Sequence, residues 1–399
     1  MNTATRSAPW CLPRPLIWAA TLLCSLAFAL PAPAQAATAK TDDKSPAARL
    51  TAAIPGLLDE HIVPGLTVCL IDDGAISWTK AFGLRRVRDS LPMSEDTVLE
   101  GAELALPMMA HLALELAHEQ ALDLNQPLGE LLPDFGTTDG EAPDNGVGTI
   151  TTAMLLSQSS GLASQSPDQA TAVKTAPGTA FHRSDSGLLL LQRVLEHVGG
   201  ATLQELLQSR VFAPLGMDNT SMVWRDEFNK TSSAGHDLPS RLPSTVRRKD
   251  RPLVASAPSS LHTTAADLAR FVIATLGSNG TAGSEGEAVG EETAGSKSAA
   301  AAEQRRAALL TAAVTIDENA GLSHGLGWAL EGGANGLTAY QWGANPQFRS
   351  FVLFHPDTNS GLVVLTNCVA GLHLMSDLTA AYDGQEHPLF GSAWAGSDN

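Results

Sequence analysis

The chain is 399 residues long and carries 25 Lys and Arg against 42 Asp and Glu, a formal net charge of −17. A surface that acidic repels phosphate backbones and anionic headgroups, which argues against nucleic acid and charged membranes as partners. Four cysteines in the whole chain, with no His, Cys, Asp or Glu at ligand spacing, argue against a disulfide framework and a metal centre, and no cofactor is implied.

The first residues hold Arg6 and Arg14 and no acid. An apolar run from Leu16 to Leu30 follows, then Ala34-Gln35-Ala36, the small-residue pattern of a signal-peptidase site. Residues 1–36 are expected to be a signal peptide, with export to a periplasm or the exterior. Cys24 follows Leu22 and Leu23 rather than a small residue, which argues against a lipoprotein anchor. No later stretch is long and apolar enough to span a membrane. Of the cysteines after the signal, Cys69 and Cys368 lie in apolar, strand-like runs and are expected to be buried free thiols.

A flexible polar segment is expected at 37–46 and an amphipathic helix over 47–60, interrupted near Pro55. Two strands, 66–71 and 76–82, flank the hairpin signal Asp72-Asp73-Gly74. Residues 107–120 are apolar nearly all round, the mark of a buried helix. Helical patterns at about 151–157, 186–198, 202–212 and 264–276 alternate with loops rich in Gly, Pro, Ser and Asp and make a helical lobe. Residues 278–303 are small, polar and acidic and are expected to be a disordered insertion. From Gly325 the period changes to strands, LGWAL, TAYQWG, FRSFVLF and GLVVLTN, with a helix near 372–382 and a tail at 384–399. The class is α+β: one domain over 47–383, its antiparallel sheet formed by both termini with the helices between.

Several segments, in this order, resemble those of serine β-lactamases of the cephalosporinase type, penicillin-binding proteins and D-alanyl-D-alanine carboxypeptidases. They are VPGLTVCLIDDGAISWTKAFG at 63–83, ALDLNQPLGELLPDF at 121–135, TITTAMLLSQSSGL at 149–162, PGTAFHRSDSGLLLLQRVLEHVGG with VFAPLGMDNT between 177 and 220, and QWGANPQFRSFVLFHP at 341–356. The resemblance covers about residues 47–382 and implies that family's fold. It also sets the strands holding Cys69 and Cys368 side by side, the condition a disulfide between them would require.

Chemistry in this family uses a serine at a helix start, a lysine one turn later, a Tyr-x-Asn loop and a Lys-Thr-Gly or His-x-Gly strand, with backbone N–H groups polarising the acyl oxygen. Here the Ser-x-x-Lys positions fall on Glu103 and Leu106, before Pro107. The loop falls on Arg183-Ser184-Asp185 and the strand motif on Gln341-Trp342-Gly343, with Ala344 keeping an N–H. A carboxylate is a poor acyl acceptor, leucine cannot pass a proton, and arginine stays charged. The sole Ser-x-x-Lys of the chain, Ser77 to Lys80, sits on a strand, where that spacing points the two side chains to opposite faces.

Glu103 and Arg183 replace residues that face each other in the family, so an ion pair is expected between them, with Asp185 as a second acceptor for Arg183. Ligand contacts, if the cleft is used, are expected from Glu103, Arg183, Ser184, Gln341, Gly343 and Ala344. Ser159 and Ser160 read as turn residues, His182 as a loop histidine with structural hydrogen bonds, and Trp342 as packing. The expected function is a binding or regulatory pseudoenzyme of the cell envelope, its partner a peptidoglycan fragment or an envelope protein. The alternative is an active serine hydrolase with a non-standard nucleophile.

Overall fold

The structure, a computed structural model, describes residues 44–132, 146–163, 173–237, 251–277, 292–333 and 335–391. The expected signal peptide and most of the polar segment after it lie outside them. Helix α1 (Pro46–Glu60) begins where Ser45 accepts the Ala48 N–H at 3.2 Å, with Pro46 in the first turn, where its missing N–H is no loss. The expected interruption at Pro55 does not occur. Leu50, Ile54 and Leu58 are buried on both sides of it, and burying each contributes about 2 kcal/mol, against about 3 kcal/mol for one interior proline.

Strands β1 (Gly65–Asp72) and β2 (Ala75–Arg86) meet at a turn in which Asp73 (φ 49°) and Gly74 (φ 70°) are both left-handed, as a two-residue hairpin of type I′ requires. The short β3 (Leu91–Pro92) and β4 (Leu99–Glu100) lead through a tight turn at Ala102–Leu104 into α2 (Ala105–His118), whose residues 105–113 are all buried. The helical lobe continues with α3 (Leu128–Leu131), α4 (Thr152–Leu156), α5 (Asp185–Gly199), α6 (Leu203–Leu207), α7 (Phe228–Thr231), the two-residue β5 (His262–Thr263) and α8 (Ala265–Leu276).

The expected disordered insertion is corrected in part. Residues 278–291 lie outside the described residues, but Glu292–Leu309 forms a helix, α9. Its alanines, Glu303, Gln304 and the two arginines are strong helix formers, and that preference outweighs the polarity on which the expectation rested. Two short strands not foreseen follow, β6 (Val314–Asp317) and β7 (Leu322–His324), then the anticipated β8 (Ala329–Gly333), β9 (Gly336–Asn345), β10 (Phe348–His355), β11 (Ser360–Thr366) and α10 (Met375–Asp383). The tail is packed rather than loose as far as it is described: Leu389 and His387 are buried.

Among the described residues nine strands form one antiparallel sheet in the order β3-β2-β1-β11-β10-β9-β8-β7-β6, so the first hairpin joins the last strand, Leu66 opposite Thr366. Alternation along β1 divides the interior in two. Val68 and Leu70 share a core with Leu50 and Ile54 of α1 and Leu378 of α10, whereas Cys69 and Ile71 share one with Leu112 of α2 and Phe271 of α8. Cys69 and Cys368 belong to different cores and are free thiols. Among the described residues no helix is long and apolar enough to cross a membrane.

Candidate active site

The positions singled out in the sequence converge at the start of α2, the start of α5 and the middle of β9. Ala102 holds a left-handed backbone (φ 47°) directly before Glu103, an uncommon conformation for a residue with a Cβ. Glu103 follows in the tight turn into α2. One carboxylate oxygen, Oε1, lies 3.2 Å from Nη2 of Arg183, and their side chains are 15% and 20% exposed. The other, Oε2, accepts the Ala344 N–H at 2.7 Å, and the carboxylate also meets the N–H of Glu103 itself. The same carboxylate is thus held by a guanidinium on one side and two backbone donors on the other. Burial is the strongest influence on its protonation and raises the pKa; Arg183 and the two N–H groups oppose that, and the charge of Asp185 adds to it.

Arg183 is also held from behind, its guanidinium 5.1 Å from the centre of the Trp342 ring. Trp342 itself is 2% exposed and part of the core under α1 and α10. Ser184 caps α5: its Oγ accepts the Gly187 N–H at 3.0 Å and donates to the Ala163 carbonyl at 3.3 Å. Asp185 opens the helix, near enough for its charge to bear on Glu103. Gln341 turns its amide onto backbone, donating to the Gly327 carbonyl at 3.4 Å and accepting the Trp342 N–H at 3.0 Å. At Gly343 any side chain is excluded, since a Cβ would lie 2.0 Å from the Gly101 carbonyl oxygen and 2.6 Å from Ser350 Oγ. That glycine lets the turn before α2 approach β9 closely enough for Glu103 to reach Ala344.

Leu106, the second residue of α2, is buried and lines the same pocket. Ser159 shares a 2.9 Å hydrogen bond with Ser157, and Ser160 accepts the Leu162 N–H at 3.4 Å, so both serve the turn after α4. His182 is tied by its backbone N–H, 2.7 Å from the Gln158 carbonyl, but its ring Nε2 is buried with no partner among the described residues. The structural bonds expected of its side chain are therefore not made at that atom. Two lining residues had no signal in the sequence. His324, on an unforeseen strand, lies 5.3 Å from the Phe181 ring, and burial, with Arg183 nearby, pulls its pKa down to about 4. Gln158, left-handed at φ 55°, accepts the Ser184 N–H at 3.1 Å.

The pocket enclosed by these groups retains about 10 Å³, roughly the space one water molecule needs. Its chemistry is that of a closed ion pair: among the described residues no serine, cysteine or lysine meets the Glu103 carboxylate, which takes up the N–H groups of Ala344 and Glu103 itself.

Comparison with known proteins follows the same lines. Residues 50–383 match the family described as Beta-lactamase. Penicillin-binding protein 4 of Amycolatopsis lactamdurans is 26% identical over 187 residues, covering 43% of this chain and 48% of that protein. Protein flp of Staphylococcus aureus is 23% identical over 328 residues, covering 78% of this chain and 60% of that protein. The chain therefore spans about half to three-fifths of the length of these relatives. Among solved structures, a D-alanine carboxypeptidase AmpC from Burkholderia cenocepacia superposes with a TM-score of 0.69 at 18% identity, covering 85% of this chain and 98% of that one, a likeness of fold.

Proposed function

The chain belongs to the β-lactamase family, and from that premise we propose that it is a member without serine-hydrolase activity, acting as a binding or regulatory protein of the cell envelope. One observation carries the proposal. The Glu103 carboxylate lies between Arg183 and the Ala344 N–H, where the family resemblance puts the oxygen of a reacting acyl group. An acyl substrate entering there would have to displace a charged side chain from a guanidinium and two N–H groups, into a cavity of about 10 Å³. At the nucleophile's place it would then meet a carboxylate, a poor acyl acceptor, flanked by Leu106, which passes no proton.

A filled pocket moves the binding role away from the old catalytic position. Export and a partner drawn from the envelope, a peptidoglycan fragment or a protein, belong to the same proposal and rest on the N-terminal sequence and the family.

The test is to expose the purified protein to a fluorescent penicillin and a chromogenic ester. Neither a covalent adduct nor turnover is expected. Stoichiometric labelling, or hydrolysis abolished by replacing one serine, overturns the reading and favours an active hydrolase with another nucleophile. The triple substitution Glu103→Ser, Leu106→Lys and Arg183→Tyr is expected to admit penicillin labelling, because it opens the pocket and returns the nucleophile and both proton-handling groups together.

A further inference from the structure

Two cavities among the described residues lie beside β9. The larger is open, about 940 Å³, and has Arg88, Arg251, Trp224 and His262 on its walls; the Glu100 carboxylate shares them, so charge selects no ligand there. The closed pocket differs, because it holds a group that shows what its donors recognise. Glu103 sits in it as a ligand would, with Arg183 on one carboxylate oxygen and the Ala344 N–H on the other.

Those donors keep their places without help from Glu103. Arg183 rests against the core residue Trp342, and Ala344 is fixed in β9 opposite Arg349 of β10. The neighbouring polar groups are committed to backbone: Ser184 and Gln341 as described, Gln158 by accepting the Ser184 N–H and donating to the Leu155 carbonyl at 3.3 Å, and His324 through Nδ1, 2.8 Å from the Gly325 carbonyl. A preset guanidinium and N–H, one for each oxygen, suit a two-oxygen anion. Asp185, whose charge already bears on Glu103, disfavours a dianion.

Keeping Glu103 in place has two local costs. Ala102, directly before it, is buried in a left-handed conformation at φ 47°. The carboxylate itself is drawn largely out of water, which raises its pKa. Contacts with the donors offset both, so the donors attract a carboxylate as such. At 15% and 20% exposure the pair also lies within reach of solvent. We propose that the pocket is a carboxylate site closed by an autoinhibitory contact: Glu103 is its tethered occupant, and a small aliphatic monocarboxylate takes Arg183 and the Ala344 N–H once that side chain is removed. This rests on the reading of Glu103 as the group that fills the former acyl position, but not on the absence of hydrolysis. In the intact chain the tether gives Glu103 a local concentration that a free carboxylate does not match.

The experiment is thermal melting of the full chain at constant ionic strength. Glu103→Ala deletes a methylene and a carboxylate, the outline of acetate; Glu103→Gly deletes one carbon more, the outline of propionate. Acetate is expected to raise the melting midpoint of the Ala variant saturably, with a dissociation constant on the order of millimolar, and propionate to bind it about tenfold more weakly. In the Gly variant the order is expected to reverse. Acetamide, the uncharged counterpart of acetate, should stabilise neither, and Glu103→Ala with Arg183→Ala should lose the response to acetate. If the Ala variant does not fold alone, its refolding yield in acetate against acetamide reads the same property. The proposal is overturned by no saturable response to either carboxylate, an equal response to acetamide, the same preference in both variants, or a response that survives loss of Arg183. An equal shift of the unaltered chain or tighter binding of sulfate overturns it too. Penicillin labelling of the unaltered chain would sink the silent reading and leave these outcomes standing, so the two fail separately.

Discussion

The two cavities beside Gly101 and β9 differ in what their polar groups meet. Around Glu103 the carboxylate has a guanidinium and two N–H groups, and about 10 Å³ is left over. Around Trp224 and His262 a donor and an acceptor have no partner among the described residues, beside about 940 Å³ of space. In the first site the chain's own carboxylate takes up the donors; the second stays open. Side chains at two places on one fold change independently, so a closed pocket and an open one can lie on the same scaffold.

The contrast is sharpest in stability. Glu103→Ala is expected to cost about 3 kcal/mol by chemical denaturation, because Arg183 is left charged, largely buried and without that partner. Adding Arg183→Ala should recover part of the loss. Equal losses for single and double variants would mean that the pair is not coupled and the pocket not truly closed by it.

A third charged group supplies a reference for a buried network away from both cavities. His387 lies 3.0 Å from Glu331 and 3.0 Å from Asp383, which also meets His355 at 3.1 Å. Burial pulls the His387 pKa down, but the bonds to Asp383 and Glu331 outweigh it and raise it to about 9. A histidine raised in the folded state stabilises fully below its ordinary value and loses that contribution as pH climbs through about 9. Stability should therefore fall by on the order of 3 kcal/mol between pH 6.5 and pH 10, and His387→Gln should flatten the profile. Asp383 shows the opposite sign: burial raises its pKa, but its histidine partners hold it well below the carboxylate range, so its contribution is lost only as pH falls into strong acid. The smallest effect belongs to the open cavity. Arg88→Gln with Arg251→Gln should change stability by no more than about 0.5 kcal/mol, and a larger loss would make these arginines part of the fold rather than of a site.

Much of the frame was legible in the residues. The hairpin about Asp73-Gly74, the apolar α2, the lobe helices and the last four strands follow from periodicity and turn chemistry. What escaped was decided by packing. Pro55 stays inside α1 because buried leucine and isoleucine outweigh one backbone bond, β6 and β7 are too short to carry a period, and His387 joins the fold through partners on two other elements.

By itself the sequence carried the expectation that Glu103, Leu106 and Arg183 stand where the family has its serine, lysine and tyrosine. Only the tertiary structure decided where the acid's second oxygen goes: to the N–H of Ala344, 241 residues away, across an approach that Gly343 alone permits. Composition and spacing are properties of one line of residues. A hydrogen bond between two distant turns depends on how closely their backbones pack, and that is settled only when the sheet and the helices close on one another.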